Sequence, residues 1–391
     1  MLFRDDLKRM ADDARARVFA RCGDDVDFII STDPLHVGYL GGYRSILFDF
    51  IRSFRSAVIV SRSHTVLVTG ASDAAPALEV LRDPGCIYRY GEFYVSSTGA
   101  GADLSAMPKP QSSFGQALQA ALRAVVPANA AIGLDCSDDR EARDLVAEHA
   151  HRISDARQHI ILARSIKTAS EIERMRVAAS ITERGLGKAF DAARPGMTEL
   201  ELSSIIVTEI VAGGGIPRFV SVTAGERSAL VDAYATTTSL KPGDLIRVDV
   251  GCTVDGYYAD LARTAVVGEP SRTQADRYAA LAAGERAQLD LARAGITAGD
   301  LFDVAVAEVR RGSLPNYQRS HCGHGLGIAA HEFPTLGQAA RNVEIESGMV
   351  LCVETPYYEL GWGGMMVEDI IVIRDDGHDS LTKLPRELLR I

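Results

Sequence analysis

Acidic residues interrupt segments of this sequence that are otherwise apolar enough to be buried strands. Asp249 lies in the run Leu245-Ile-Arg-Val-Asp-Val250, and Asp260 follows it after the turn signal Asp255-Gly256. A hairpin that turns between residues 254 and 255 would place the two carboxylates opposite each other, with Cβ atoms about 5 Å apart. If the hairpin instead turns on Asp255-Gly256, a bulge is needed to give the same pairing.

A second pair of apolar segments carries acidic residues in the same way. Met349-Val-Leu-Cys-Val-Glu354 ends on a glutamate, Met366-Val-Glu368 has another, and a glycine-flanked histidine, His324, lies between the two pairs. Four carboxylates that converge in a core repel one another, and protonating them costs several pKa units. Two divalent cations would balance the four charges, with the neutral imidazole as a nitrogen ligand. Such an oxygen-rich set favours Mn²⁺, Fe²⁺, Co²⁺ or Zn²⁺ and disfavours a thiolate zinc site.

The elements that must position these residues form an internal repeat. The segment 193–202 matches the segment 292–301, and each copy contains a loop glycine and a candidate helix N-cap, Thr198 or Thr297. A pair of strands follows each copy, 244–251 with 257–267 and 349–355 with 366–373. Two helices and a strand pair, repeated, predict a pseudo-twofold domain. Residues 1–155 instead alternate short apolar strands with helical stretches, as α/β domains do, and 156–167 are interpreted as a connector.

The composition limits the class of protein. The chain has 391 residues, of which 47% are hydrophobic and 24% charged, so two to three globular domains are expected. Its net charge of −10 is unlike that of a nucleic-acid-binding protein. No apolar run approaches the roughly 20 residues of a membrane helix, and the charged N-terminus has no signal-peptide core. Six scattered cysteines without a CxxC motif fit reduced thiols. We therefore expect a cytoplasmic protein without nucleic-acid or membrane partners.

Together these motifs resemble the five-ligand signature of the creatinase, aminopeptidase P, prolidase and methionine aminopeptidase superfamily, the pita-bread metallohydrolases of peptidase family M24. The matching residues are Asp249-Val-Gly, Gly256-Tyr-Tyr-Ala-Asp-Leu-Ala-Arg-Thr264, Gly323-His-Gly-Leu-Gly327, His331-Glu, Val353-Glu354 and Glu368-Asp369. Thr32-Asp-Pro with Tyr39-Leu-Gly-Gly42 resembles the start of a creatinase-type domain. The resemblance implies an α/β (α+β) fold, with a creatinase-type N-terminal domain over residues 1–160 and a pita-bread catalytic domain over residues 165–391.

The resemblance also implies a role for each candidate ligand. Asp249 would chelate one metal ion, Asp260 and Glu368 would bridge both, and His324 and Glu354 would complete the second. The expected cofactor is two divalent metal ions, Mn²⁺ before Fe²⁺, Co²⁺ or Zn²⁺. A metal-bridging hydroxide would attack the carbonyl of an amide-type C–N bond, with Glu354 as general base and then general acid.

Two positions depart from the family pattern at the expected substrate site, where His331 would bind the substrate or the tetrahedral oxyanion. Aminopeptidase P, prolidase and creatinase relatives usually have a histidine about eleven residues before the pair that corresponds to Gly243-Asp244, where this sequence has Asp232. Proline-specific peptidases often have an arginine two residues before the last glutamate ligand, where this sequence has Met366. Both changes remove positive charge or donors from the pocket. They favour a cationic or amidine-like small substrate over an ordinary Xaa-Pro peptide.

Arg55, in Phe50-Ile-Arg-Ser-Phe-Arg55, is a further candidate substrate-binding residue. The N-terminal domains of relatives reach over the partner's pocket in dimers, so Arg55 would bind a substrate carboxylate there, and a homodimer is expected. The leading prediction is an Xaa-Pro dipeptidase or aminopeptidase P-like hydrolase that acts on a dipeptide or other small molecule. The alternatives are a creatinase- or ectoine-hydrolase-like enzyme acting on a small nitrogenous solute, or a superfamily lyase. The complete ligand set argues against a binding module without catalysis.

Overall fold

The computed structural model describes residues 6–95, 106–136 and 138–391, and the chain divides into two compact units between Arg164 and Ser165. The elements of the first unit are α1 (Leu7–Cys22), β1 (Phe28–Ser31), α2 (Pro34–Gly41), β2 (Ala57–Val60), β3 (Thr65–Gly70), α3 (Ala74–Leu81), β4 (Ile87–Tyr90), α4 (Phe114–Val125), β5 (Ala131–Asp135), α5 (Arg140–His149), β6 (Arg152–Asp155) and α6 (Arg157–Ser165). The connector expected over 156–167 is therefore mostly a helix.

The first unit is built on a six-stranded mixed sheet in the order β4-β3-β2-β1-β5-β6. β1 is parallel to β5 and antiparallel to β2. Apolar side chains of these strands, such as Ile30 and Ile132, pack with Leu118 and Leu122 of α4 in one buried cluster. Ser113 caps α4, accepting a hydrogen bond from the Gln116 amide, which fixes the start of the helix.

The second unit contains four helices of 14 to 24 residues and the larger sheet. Its elements are α7 (Ala169–Ala192), α8 (Glu199–Ala212), β7 (Ile216–Ala224), β8 (Leu245–Val254), β9 (Tyr257–Val266), α9 (Arg272–Leu291), α10 (Ala298–Arg311), β10 (His321–Gly325), β11 (Glu332–Gly337), β12 (Val350–Glu354), β13 (Tyr357–Glu359), β14 (Gly363–Met365), β15 (Glu368–Arg374), β16 (Gly377–Ser380) and β17 (Leu389–Arg390). All of its strands join one sheet except β13 and β14, which pair with each other.

The predicted repeat is visible in the order of this sheet, β11-β10-β12-β15-β9-β8-β7. Strands β7, β8 and β9 form one half and β10, β12 and β15 the other, and the halves join where β9 pairs with β15. Thr198 and Thr297 each begin a helix with a capping box, completed by Glu201 and Asp300. Each half is thus two helices followed by strands, which agrees with the expected pseudo-twofold arrangement.

The helices pack on one face of the sheet, and strand periodicity leaves the candidate ligands on the other. Cys252 of β8 accepts a hydrogen bond from the Thr182 hydroxyl of α7 at 3.2 Å, and Thr355, just after β12, donates one to the Leu281 carbonyl of α9 at 2.8 Å. Since neighbouring residues of a strand point to opposite faces, Asp249 and Glu354 face away from these helices.

Candidate metal centre

The β8–β9 hairpin carries the first two candidate ligands. It turns on Asp255-Gly256, whose φ angles of 49° and 89° give the left-handed two-residue turn that suits twisted strands. Pairing from this turn is regular, so Asp249 lies opposite Ala262, and Asp260 lies opposite Gly251. The expected direct pairing of Asp249 with Asp260 is therefore wrong, because the turn lies one residue later and no bulge compensates. The register differs by an even number, so both carboxylates still share a face as diagonal neighbours.

Strand register brings the remaining candidate ligands to that same face. Glu354 of β12 is opposite Glu368 of β15, and Glu368 is opposite Ala262 of β9. His324 of β10 is opposite Cys352 of β12, which lies two residues before Glu354. Because cross-strand partners point the same way, the five predicted ligands lie on one face of the sheet, across five neighbouring strands. This face is called the ligand face below.

Glycines on both sides of His324 allow β10 to approach its neighbours closely. A Cβ atom on Gly323, whose φ is 132°, would lie 2.2 Å from the Cys352 carbonyl oxygen. A Cβ on Gly325 would lie 2.4 Å from the Phe333 carbonyl oxygen. The glycine pattern that marked His324 in the sequence is therefore a packing requirement of the strand that holds this imidazole.

The side chains of Asp260, His324 and Glu368 converge. His324 Nε2 is 3.8 Å from Asp260 Oδ2 and 3.9 Å from Glu368 Oε1. One ligand atom of each, together with Cys352 Sγ, lies within 4.8 Å of all the others. All four residues are buried, and Glu368 Oε2 has no hydrogen-bond partner among the described residues. A buried carboxylate oxygen without a donor is costly, and a divalent cation would supply the missing positive charge, so these residues fit a metal ion.

The carboxylates are poorly stabilised by the protein alone. Burial raises the pKa of Asp249 to about 7, with Glu354 and Asp232 adding repulsion and Arg247 opposing it. Burial and the neighbouring carboxylates raise the pKa of Asp260 and of Glu368 well above their usual ranges. Cations bound between these groups would offset the repulsion and hold the ligands ionised.

Glu354 differs from the other three carboxylates. Burial raises its pKa, but hydrogen bonding to His321 and the nearby His324 and Arg319 outweigh burial and leave the pKa below its usual range. His321 Nε2 lies 3.1 Å from Glu354 Oε1. Sequence reasoning assigned His321 no role. The signal was its place three residues before His324 in the same glycine-rich segment.

Two histidine rings stack at the edge of the cluster. The His324 and His331 rings have centroids 3.8 Å apart and planes 19° apart. Burial, then repulsion from His331, lowers the pKa of His324 to about 4, so its imidazole is neutral. His324 Nδ1 lies 3.0 Å from the Gly325 carbonyl oxygen, and donation there leaves Nε2 free to bind a metal ion. His331 is exposed, so its ring lies where a substrate can reach it.

Arg247 links β8, the strand that carries Asp249, to the loop that carries Asp232. Its buried guanidinium donates to the carbonyls of Leu230 and Val231 at 2.7 and 2.6 Å, and its Nη1 is 3.6 Å from Asp249 Oδ2. Asp232 is exposed, and its charge raises the pKa of Asp249. Arg247 was also missed from the sequence. Its position two residues before Asp249 on one strand was the available signal.

The remaining substrate-site candidates have other contacts in the structure. Arg55 binds Asp139 through paired hydrogen bonds, one of 2.6 Å, also contacts Glu141, and stacks over the Phe114 ring. Its guanidinium is thus engaged within the first unit. Met366 is buried, and its sulfur lies 3.6 Å from the Tyr358 hydroxyl.

Comparison with known proteins identifies the family of this chain. The model of metallopeptidase family M24 matches residues 173–375, just over half of the chain. The chain is 32% identical over 228 residues to the Xaa-Pro dipeptidase of Pyrococcus furiosus, a match that covers 58% of this chain and 65% of that protein. It is 30% identical over 239 residues to the Xaa-Pro dipeptidase of Lactobacillus delbrueckii subsp. lactis, covering 60% and 64%. The matched region therefore spans less than two thirds of these relatives' length.

Solved structures show the same fold over nearly the whole chain. The X-Pro aminopeptidase of Thermotoga maritima superposes with a TM-score of 0.79 at 22% identity, covering 97% of this chain and 99% of that one. The dipeptidase PepE of Mycobacterium ulcerans superposes with a TM-score of 0.78 at 25% identity, covering 100% and 99%. The expected two-domain pita-bread fold is thereby confirmed. No helix within the described ranges has the length and hydropathy of a membrane span. With a family model over more than half of its length, this chain belongs to metallopeptidase family M24.

Proposed function

We propose that this protein is a metal-dependent hydrolase that cleaves an amide-type C–N bond in a dipeptide of the Xaa-Pro class. The observation that carries the proposal is the convergence of Asp260, His324 and Glu368 around a buried carboxylate oxygen without a hydrogen-bond donor. The named Xaa-Pro dipeptidases among the relatives support the substrate class. In this proposal the second unit is the catalytic domain and the first is a creatinase-type N-terminal domain.

Five residues would hold two divalent cations: Asp249, Asp260, His324, Glu354 and Glu368. Mn²⁺ is the metal we expect first, since carboxylates dominate the set. Bound cations supply Lewis-acid polarisation of the scissile carbonyl and a water nucleophile at neutral pH. By the resemblance to the family, Asp260 and Glu368 would be the two ligands shared between the cations.

Glu354 is the group best placed to move the proton. It is buried, its pKa is held below the usual range, and His321 orients one of its oxygens. An ionised carboxylate in this position accepts a proton from the attacking water and returns it to the leaving nitrogen. His331 would donate a hydrogen bond to the substrate carbonyl oxygen, since its ring is exposed and fixed by stacking on His324.

A second candidate substrate class is a small nitrogenous solute with a cationic group. The observation that favours it is the exposed carboxylate of Asp232, close enough to the ligand strand to raise the pKa of Asp249. Met366 provides no donor for a substrate carboxylate. A protonated amine or amidine on the substrate would therefore be attracted to this side of the site.

The homodimer and the cytoplasmic location remain part of the proposal. Ile46 and Phe50, four positions apart in the first unit, are 68% and 65% exposed, and a partner subunit would cover these apolar side chains. All six cysteines are free, as in reducing compartments. Arg55 would bind substrate only by leaving Asp139 and Glu141. Light scattering at micromolar concentration tests the dimer, and a monomer mass contradicts it.

Hydrolysis assays on purified, metal-loaded protein test the function. Gly-Pro and Ala-Pro represent the dipeptide class, Gly-Ala is the comparison without proline, and an N-acyl diamine represents the cationic solutes. We expect amine release that stops with a chelator and returns with Mn²⁺. Cleavage of the solute but not of Gly-Pro would select the second candidate. Absence of any metal-dependent hydrolysis across the panel would contradict the proposal.

A further inference from the structure

Cys352 lies inside the candidate metal centre, where the predicted ligand set contains no sulfur. It occupies β12 opposite His324 and two residues before Glu354, so its side chain points to the ligand face. Cys352 is fully buried, and its Sγ belongs to the group of four ligand atoms within 4.8 Å of one another. One oxygen of Glu354, the remaining expected ligand of this position, lies 3.1 Å from His321 Nε2.

The spacing of the four atoms suits a single metal ion. Metal bonds of about 2.0–2.2 Å to nitrogen and oxygen and about 2.3 Å to sulfur imply donor separations of about 3.4–3.6 Å in a tetrahedral site. His324 Nε2 is 3.8 Å from Asp260 and 3.9 Å from Glu368, already near these values. The orphaned oxygen of Glu368 is a second, independent sign that a cation belongs here, since its residue is 1% exposed.

We propose that Cys352 is a ligand of the metal ion held by Asp260, His324 and Glu368, which gives that position a mixed nitrogen, oxygen and sulfur set. The inference rests on the metal centre of the proposed function. A sulfur–metal bond forms, the thiol proton leaves to solvent, and no electrons are transferred. Sulfur favours thiophilic cations such as Zn²⁺, Co²⁺ and Cd²⁺ over Mn²⁺.

The two metal positions of this centre are therefore chemically different. The position at Asp249 has carboxylate ligands only and retains the preference for a hard cation. The position at Cys352 takes a borderline or soft one. The oxygen-rich ligand set expected from the sequence would then apply to the position at Asp249, whereas the position at Cys352 would include a sulfur ligand.

Cobalt binding provides the direct test. The chain is freed of metal with a chelator and titrated with Co²⁺ under anaerobic conditions, and the near-ultraviolet thiolate-to-cobalt charge-transfer band is recorded. Wild type is expected to show the band, and Cys352→Ser to bind Co²⁺ without it. Cys252→Ser is the matched control, because Cys252 is equally buried but faces α7, with its sulfur on Thr182. This control should keep the band.

Affinity measurements extend the same test. Cys352→Ser should weaken Zn²⁺ or Cd²⁺ binding by at least about tenfold, the smallest effect expected of a group that tunes a metal site, while Mn²⁺ binding changes less. If Cys352→Ser does not fold, X-ray absorption of zinc-loaded wild type decides the question, and a sulfur scatterer at about 2.3 Å supports the proposal. Cobalt bound without the band, or a band that survives Cys352→Ser, overturns the sulfur ligand alone. If wild type binds no divalent cation, the metal centre itself is wrong as well.

Discussion

Replacing Asp249 by asparagine should have opposite effects on the metal-free and the metal-loaded protein. Without cations, burial raises the pKa of Asp249 from 3.8 to about 7. The folded protein then binds more protons than the unfolded chain between these values, so stability falls as pH rises from 3.8 to 7. The loss amounts to at most about 4 kcal/mol at pH 8, at about 1.4 kcal/mol for each pKa unit. Asp249→Asn removes this cost.

Metal binding should reverse the order of stability. A cation present at a hundred times its dissociation constant stabilises the folded state by about 2.7 kcal/mol at each site. For a unit of this size, 1 kcal/mol shifts Tm by about 2–4 °C, so each occupied site raises the Tm of wild type by about 5–11 °C. Asp249→Asn removes a ligand carboxylate from one of the two metal positions. The rise in its Tm on metal binding should therefore be at most half that of wild type.

Calorimetry of the second unit's transition at pH 8, with chelator and then with Mn²⁺, measures both effects. Asp379→Asn is the control, since Asp379 is an exposed carboxylate on β16 whose replacement should change stability by less than about 0.5 kcal/mol. We expect metal-free Asp249→Asn to melt above metal-free wild type, and metal-loaded wild type to melt above both. A metal-free variant that melts lower than wild type, with an unchanged Mn²⁺-dependent rise in Tm, would contradict the role assigned to Asp249.

Four further substitutions test the roles assigned to other residues. Asp260→Ala and Glu368→Ala should each abolish hydrolysis and lose at least one metal ion, because both are read as shared ligands; full activity with two bound ions in either variant sinks that assignment. His321→Gln should lower kcat by about 10–100-fold with little change in KM, because Glu354 loses the contact that positions it. The control His378→Gln, on β16, should leave kcat unchanged. Equal kcat values in the two variants would contradict a positioning role for His321. Asp232→His should raise Xaa-Pro dipeptide cleavage and reduce turnover of a cationic solute, and kinetics unchanged on both substrates would make Asp232 incidental.

The candidate ligand set could be identified in the sequence because each of its carboxylates interrupts an apolar strand. Asp249, Asp260, Glu354 and Glu368 stand out against buried neighbours, and paired glycines mark His324. The capping boxes at Thr198 and Thr297 likewise depend only on residues a few positions apart. Features set by short-range chemistry of this kind are readable from one chain.

Features that depend on strand register or on contacts between distant segments could not be predicted from the sequence. The β8–β9 pairing depended on whether the chain turns before or at Asp255-Gly256, a choice of one residue that moves every cross-strand partner. Cys352 became a candidate ligand only once β10 was seen beside β12. Arg55 looked available for a ligand until Asp139 and Glu141, distant in sequence, were found against it.

Anomalous diffraction from crystals of the metal-loaded protein would locate the two expected metal ions directly. Two peaks about 3.5–4 Å apart are expected on the ligand face of the larger sheet, with carboxylate oxygens of Asp260 and Glu368 bound to both. One peak should also lie against Asp249 and the other against His324 Nε2. The absence of any peak at this face, or a peak bound by none of these residues, would contradict the claim that the chain is a dinuclear metal-dependent enzyme.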